Sequence, residues 1–141
     1  MTSLGNPSGD AYRALIKILI EQSDSFYVVT RGELQYEPEP IELLVPYAKD
    51  IHKTKQWGQS KTKGKAATLY EFPATKEMRH LLVHLADSLF DWVAPGLPED
   101  LTFLRDGQII FTSIAHEGIA EWQEDIPELH NKLQHIFHTC S

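Results

Sequence analysis

The sequence predicts an α+β fold: a single antiparallel sheet of about four to six strands, flanked by about three helices. Three observations predict it. Met78, Leu81, Leu82, Leu85, Leu89 and Trp92 recur at helical spacing, with His80, His84, Asp87 and Asp91 on the opposite side. Leu101 to Arg105 and Gln108 to Ile114 are apolar runs separated by Asp106-Gly107, a dipeptide that supplies the positive φ angles of a tight hairpin turn. No internal repeat or second composition class divides the 141 residues, so one domain spanning 9–138 is expected between a flexible start (1–8) and a frayed tail (139–141).

The elements follow in chain order. Tyr12, Leu15, Ile16, Leu19 and Ser23 trace a helix face, with Ser8 or Asp10 available as its cap. Phe26 to Thr30 is a β-branched and aromatic run, and Arg31-Gly32 can turn it into a second strand at Leu34 to Glu37. Pro38, Pro40 and Pro46 leave Ile41 to Ile51 open between a short helix starting at Pro40 and an irregular segment. Lys53 to Trp57 can pair with Ala66 to Phe72 across an exposed loop, Gly58 to Gly64. Thr75 caps a helix predicted to run to about Trp92, where Pro95-Gly96 stops it. A last helix over about Ile126 to Phe137 turns Leu129, Leu133, Ile136 and Phe137 inward.

Composition sets limits on function. An apolar content of 42% is enough for a packed core without disulfides or metal. The single cysteine, Cys140, excludes an intrachain disulfide and a cysteine-based zinc cluster, which fits a reducing, cytoplasmic compartment. The best apolar run, Leu15 to Ile20, is broken by Lys17 and is too short for a signal peptide core or a membrane span.

The formal charge of −7 is unevenly spread. Lys49, Lys53, Lys55, Lys61, Lys63 and Lys65 face Asp50 alone, a local charge of +5, whereas Asp87 to Glu128 holds ten acids against Arg105. The acidic half repels polyanions and disfavours nucleic acid as a general partner.

The segment from Trp92 through Pro98-Glu99-Asp100-Leu101 to Gly107, followed by Thr112-Ser-Ile-Ala-His-Glu117, resembles a family of small uncharacterised bacterial proteins, some of which carry a sporulation label. Trp57-Gly58 and the strand Ala67-Thr-Leu-Tyr70 match the same family, so about half the chain takes part in the resemblance. This chain lacks the proline the family usually places between tryptophan and glycine, and has Gly118-Ile119 where the family has arginine-aspartate. The resemblance implies a fold and assigns no catalytic residue.

The leading functional expectation is a non-catalytic protein-interaction or inhibitor-like module. Its acidic face would comprise Asp87, Asp91, Glu99, Asp100, Glu117, Glu121 and Trp122, and its partner would be a basic protein. Two rivals stand beside it. A small hydrolase or metal-dependent enzyme would use His116 with Glu117 at the end of the Ile109 to Ala115 strand, where Ser113 lies outside any Gly-x-Ser-x-Gly turn, or a metal held by His80, His84 and Asp87. A phosphate or nucleic-acid binder would use Trp57 as a stacking ring among Lys61, Lys63 and Lys65. No cofactor is expected, and the histidines of the last helix, His130, His135 and His138, are assigned no role.

Overall fold

The computed structural model describes residues 1–31, 39–58, 60–94 and 96–139. Its centre is strand β2 (Ser25–Thr30), buried at every position. Complete burial requires a layer on both faces of the sheet, and the alternation of side chains supplies it. Phe26 and Val28 enter the main core under the helices, while Tyr27 and Val29 enter a second, smaller cluster with Trp57, Ala67 and Leu69.

All strand pairs in the main sheet are antiparallel. In chain order the strands are β1 (Thr2–Ser3), β2, β3 (Asp50–Thr54), β6 (Ala67–Pro73), β7 (Glu99–Arg105), β8 (Gln108–Ile114) and β9 (Ile119–Trp122). In space the order is β1-β9-β8-β7-β2-β6-β3, seven strands rather than the four to six expected. Two short strands, β4 (Gln56–Trp57) and β5 (Ser60–Lys61), form a separate hairpin within the connection from β3 to β6. The additions are β1 and β9, which are too short to show periodicity. Met1–Ser8, expected to be a flexible start, carries β1, and the Met1 ammonium donates to the Trp122 carbonyl at 2.9 Å.

The Asp106-Gly107 hairpin forms as expected. Both residues have positive φ (52° and 78°), and Arg105 pairs with Gln108 across a two-residue turn. The anticipated Leu34 to Glu37 strand lies outside the described residues. Strand β2 has β6 on one edge and β7 on the other. Residues 41–51 resolve into a short helix, α2 (Ile41–Leu44), a 3-10 turn (Val45–Tyr47) and the start of β3.

Helices α1 (Asp10–Gln22), α3 (Lys76–Leu85) and α4 (Pro127–Thr139) cover one face of the sheet, and α1 packs against both of the others. Gly9 occupies the cap position of α1, so neither Ser8 nor Asp10 provides a side-chain cap. Thr75 does cap α3, accepting from the Met78 amide at 3.2 Å.

Helix α3 ends at Leu85, not at Trp92, because the chain start takes over the backbone groups that would have continued it. The Asp87 carbonyl accepts from Gly9, the Leu89 amide donates to Pro7, and the Phe90 amide donates to the Asn6 side chain. The Asp91 carboxylate then caps a 3-10 turn (Leu89–Asp91), accepting from the amides of Asp87 (2.9 Å) and Ser88 (3.0 Å). Tertiary hydrogen bonds here override a helix-compatible pattern, while Leu89 and Trp92 stay in the core.

One buried polar chain joins these layers. The Trp92 indole donates to the Tyr12 hydroxyl (2.9 Å), which donates to the Leu82 carbonyl (2.6 Å). Burial holds the Tyr12 phenol well above its ordinary titration range, so it remains a donor at any working pH. Replacing Tyr12 by Phe leaves the buried Trp92 N–H without its acceptor. The expected loss is about 1–3 kcal/mol, read as a lower urea midpoint with an unchanged denaturant slope.

Candidate functional site

The end of the sheet where β2 and β8 finish and β6 and β7 begin gathers most of the chemically active residues. The β4–β5 hairpin arises at the same end, since Thr54 of β3 pairs with Ala67 of β6. Together they enclose a cavity of about 520 Å³. The hairpin contributes Trp57, Ser60, Lys61 and Thr62; the sheet end contributes Arg31, Ala67, Asp100, Ile114, His116 and Glu117.

Asp100 is the centre of this site, and it sits at a fault in strand pairing. Tyr27 lies opposite Thr102, but Val29 lies opposite Glu99, so β7 holds one extra residue between the two pairs. That bulge is accommodated by Asp100 in the left-handed region (φ 59°), which aspartate tolerates better than most residues. In regular pairing, consecutive residues point to opposite faces. The bulge instead lets both Glu99 and Asp100 turn to the face carrying Tyr27, Val29 and Trp57.

Both acids are buried, Glu99 at 4% and Asp100 at 3% exposure. Glu99 forms an ion pair with Arg31, and its other oxygen accepts from the Ala94 amide at 3.3 Å. Asp100 Oδ2 accepts from the Trp57 indole at 2.8 Å, whereas its buried Oδ1 has no protein partner among the described residues. Loss of solvent raises the Asp100 carboxyl above its ordinary pKa of 3.8. The Trp57 hydrogen bond opposes that shift, neighbouring Glu99 adds to it, and His116 and Arg31 oppose it by charge.

Trp57 closes the cavity from the hairpin side. Its ring packs on Tyr27, Val29, Ala67 and Leu69, so it is not a free stacking platform for a nucleic-acid base. Gly58, with φ 53°, makes this seating possible: a β-carbon there would stand 3.2 Å from the Tyr27 hydroxyl oxygen.

The structure thus brings together five of the residues singled out in the sequence: Trp57, Lys61, Asp100, His116 and Glu117. His116 and Glu117 lie on a 3-10 turn (Ala115–Glu117) between β8 and β9, both exposed, one turn beyond the strand expected to carry them. Lys63 and Lys65 are exposed on the loop and do not line the cavity. Ser113 is buried, donates to the Leu101 carbonyl at 3.2 Å and does not line the cavity. Arg31 is the contributor that sequence reasoning missed; its only sequence signal was its place at the end of the β2 run.

Two other sets of residues do not assemble as expected. The acidic face loses Glu99 and Asp100 to this site and Trp122 to the core. Trp122 is 5% exposed, packs against Phe137 and donates to His130 at 3.0 Å. The metal set His80, His84 and Asp87 is split, because Asp87 lies beyond the end of α3. Among the described residues, no group of three or more histidine, cysteine or acidic side chains is placed to hold an ion.

The raised pKa of Asp100 has a definite consequence for stability. The folded protein holds the Asp100 proton more tightly than the unfolded chain, so its contribution to stability is fully present below 3.8 and is lost as pH rises through the folded-state pKa. Asn at position 100 can still accept from the Trp57 indole and tolerates positive φ. The difference in melting temperature, Asp100→Asn minus wild type, is therefore expected to be more positive at pH 8 than at pH 4. Equal differences at the two pH values would show that Asp100 titrates alike in both states.

No protein-family model matches this chain, and no curated protein or solved structure does.

Proposed function

We propose that the domain binds a small polar ligand in the cavity at the sheet end, with Asp100 as the buried recognition group. One observation carries this reading: a carboxyl that is almost wholly buried lines a polar cavity with one oxygen unpartnered among the described residues, on a backbone of positive φ beside a strand bulge. A buried polar atom without a partner is costly, as is a non-glycine residue at positive φ. Both costs are met together where a ligand donor or acceptor would satisfy the free oxygen.

The cavity walls suit a ligand with hydrogen-bonding groups. Ser60 and Thr62 offer hydroxyls, Lys61 a flexible cation, and His116 and Glu117 groups that can exchange a proton with a bound molecule. Asp100 with a raised pKa can act as a donor when protonated and as an acceptor when ionised. Acid–base chemistry is therefore within the site's means, although the hydrolase reading has lost Ser113.

Part of the resemblance to the small bacterial family falls at this location. Its Trp57-Gly58, Glu99-Asp100 and Ala115-His-Glu117 segments, far apart in the chain, all contribute to this cavity or its immediate support.

The test is a thermal-shift panel of sugars, amino acids, small carboxylates and nucleosides, run on wild type and on Asp100→Asn. At least one compound is expected to raise the melting temperature of the wild type and to lose that effect in Asp100→Asn. Lys61→Ala is expected to weaken the same compound about tenfold or less, as a partly solvated contact should. Compounds that stabilise both proteins equally would place binding elsewhere and sink the proposal.

A further inference from the structure

The helices covering the other face of the sheet enclose a second, chemically different groove. It lies between α1 and α3, has a volume of about 660 Å³, and is lined by Arg13, Lys17, Arg79, His80, Val83 and His84. Three permanent cations and two imidazoles thus share one groove whose lining includes no carboxylate, in a chain whose formal charge is −7.

The sequence suggests the opposite chemistry here. His80 and His84, at i and i+4, read as a metal pair as long as Asp87 and Asp91 continue the helix. In the structure Asp91 is turned to cap backbone amides, and the neighbours of the imidazoles across the groove are Arg13 and Lys17 from α1. A divalent cation entering such a groove would be repelled by every permanent charge lining it. An anion would be attracted by all of them.

We propose that this α1–α3 groove binds an anion carrying two or more phosphate groups, with Arg13, Lys17 and Arg79 as its charge-bearing contacts. Three cations held on two packed helices repel one another, and a single carboxylate would neutralise one of them. A phosphate chain carries several negative charges and three or more acceptor oxygens. Its oxygens also match the paired donors of Arg79 and Arg13, while Lys17 adds a point charge.

Arg13 already pairs with the exposed Asp10, which lies one helical turn away and does not line the groove. Lys17 and Arg79 have no salt bridge to any described carboxylate. Val83 gives the groove an apolar patch that shields one side of a bound ion from solvent. This site is independent of the Asp100 cavity, since the helices and the β4–β5 hairpin cover opposite faces of the sheet.

The experiment is calorimetric titration of the full chain with inorganic tripolyphosphate at low ionic strength. It compares wild type with Lys17→Glu, Arg79→Glu and, as a control on the exposed lysine loop, Lys63→Glu. Lys17 and Lys63 are exposed, so their reversal tests charge without disturbing the core, and circular dichroism checks the fold of all three variants.

Saturable wild-type binding, weakened roughly tenfold or more by each groove variant but by less than about twofold by Lys63→Glu, is the expected result. Vesicles bearing phosphate-monoester headgroups distinguish the source. Retention on them that is lost in Lys17→Glu, without binding of tripolyphosphate, assigns the groove to membrane phosphate rather than a free one. The proposal is overturned if wild type binds neither probe, if Lys63→Glu weakens binding as much as Lys17→Glu, or if an oligoglutamate peptide of equal charge binds more tightly than tripolyphosphate.

Discussion

The hydrogen bond from the Trp57 indole to Asp100 is the constraint on which the second face of the sheet depends. The β4–β5 hairpin has two residues in each strand and pairs only with itself, so it has no strand partner in the main sheet. What seats it is the Trp57 ring on Tyr27, Val29, Ala67 and Leu69, and a directional bond at 2.8 Å to a residue of the central sheet. Without that bond the ring has apolar contacts but no fixed orientation. The cavity owes its shape to it, because the hairpin forms one wall and the sheet end the other.

The bulge in β7 brings Glu99 to the same face as Asp100. Remove the extra residue and Asp100 and Glu99 would fall on opposite faces, one of them under the helices among Leu101, Phe103 and Phe26. A bare carboxylate there would be far more costly than the left-handed backbone at position 100. The bulge also separates the roles of the two acids. Glu99 has Arg31 as its counter-charge and is structurally occupied, whereas Asp100 shares its carboxyl between an indole and an open cavity. Two adjacent acids in one strand thus acquire different environments, one paired with a cation and one facing a cavity.

Much of the fold was legible because long, strongly periodic elements declare themselves. The Asp106-Gly107 hairpin, α1, the Thr75-capped start of α3 and the inward face of α4 all follow from local pattern and turn chemistry. What was not legible depends on partners distant in sequence. Strands β1 and β9 exist by pairing with each other and with β8, and residues 2–3 are too few to carry a pattern. Helix α3 stops at Leu85 because Asn6, Pro7 and Gly9 bind the backbone beyond it, a contact across some eighty positions that no window contains. The site was legible in its parts: Trp57, Lys61, Asp100, His116 and Glu117 each stood out. They stood out under three rival functions, because residue type marks chemistry but only the strand order assigns the residues to one cavity.

His80 and His84 show the same limit in a sharper form. Their spacing of four residues puts two imidazoles on one helix face whether the site is meant for a cation or an anion, so periodicity alone carries no sign. The sign comes from the residues that other elements bring to the groove. A carboxylate at position 87 on a continuing helix would have offset one positive charge; with α3 ended at Leu85 and Arg13 and Lys17 packed alongside Arg79, the groove is positive. The hydrogen bonds of Asn6, Pro7 and Gly9 to residues 87–90 therefore do more than end a helix. With α3 ended there and the Asp91 carboxylate engaged on backbone amides, the cations of α1 and α3 are left to set the electrostatic character of the groove.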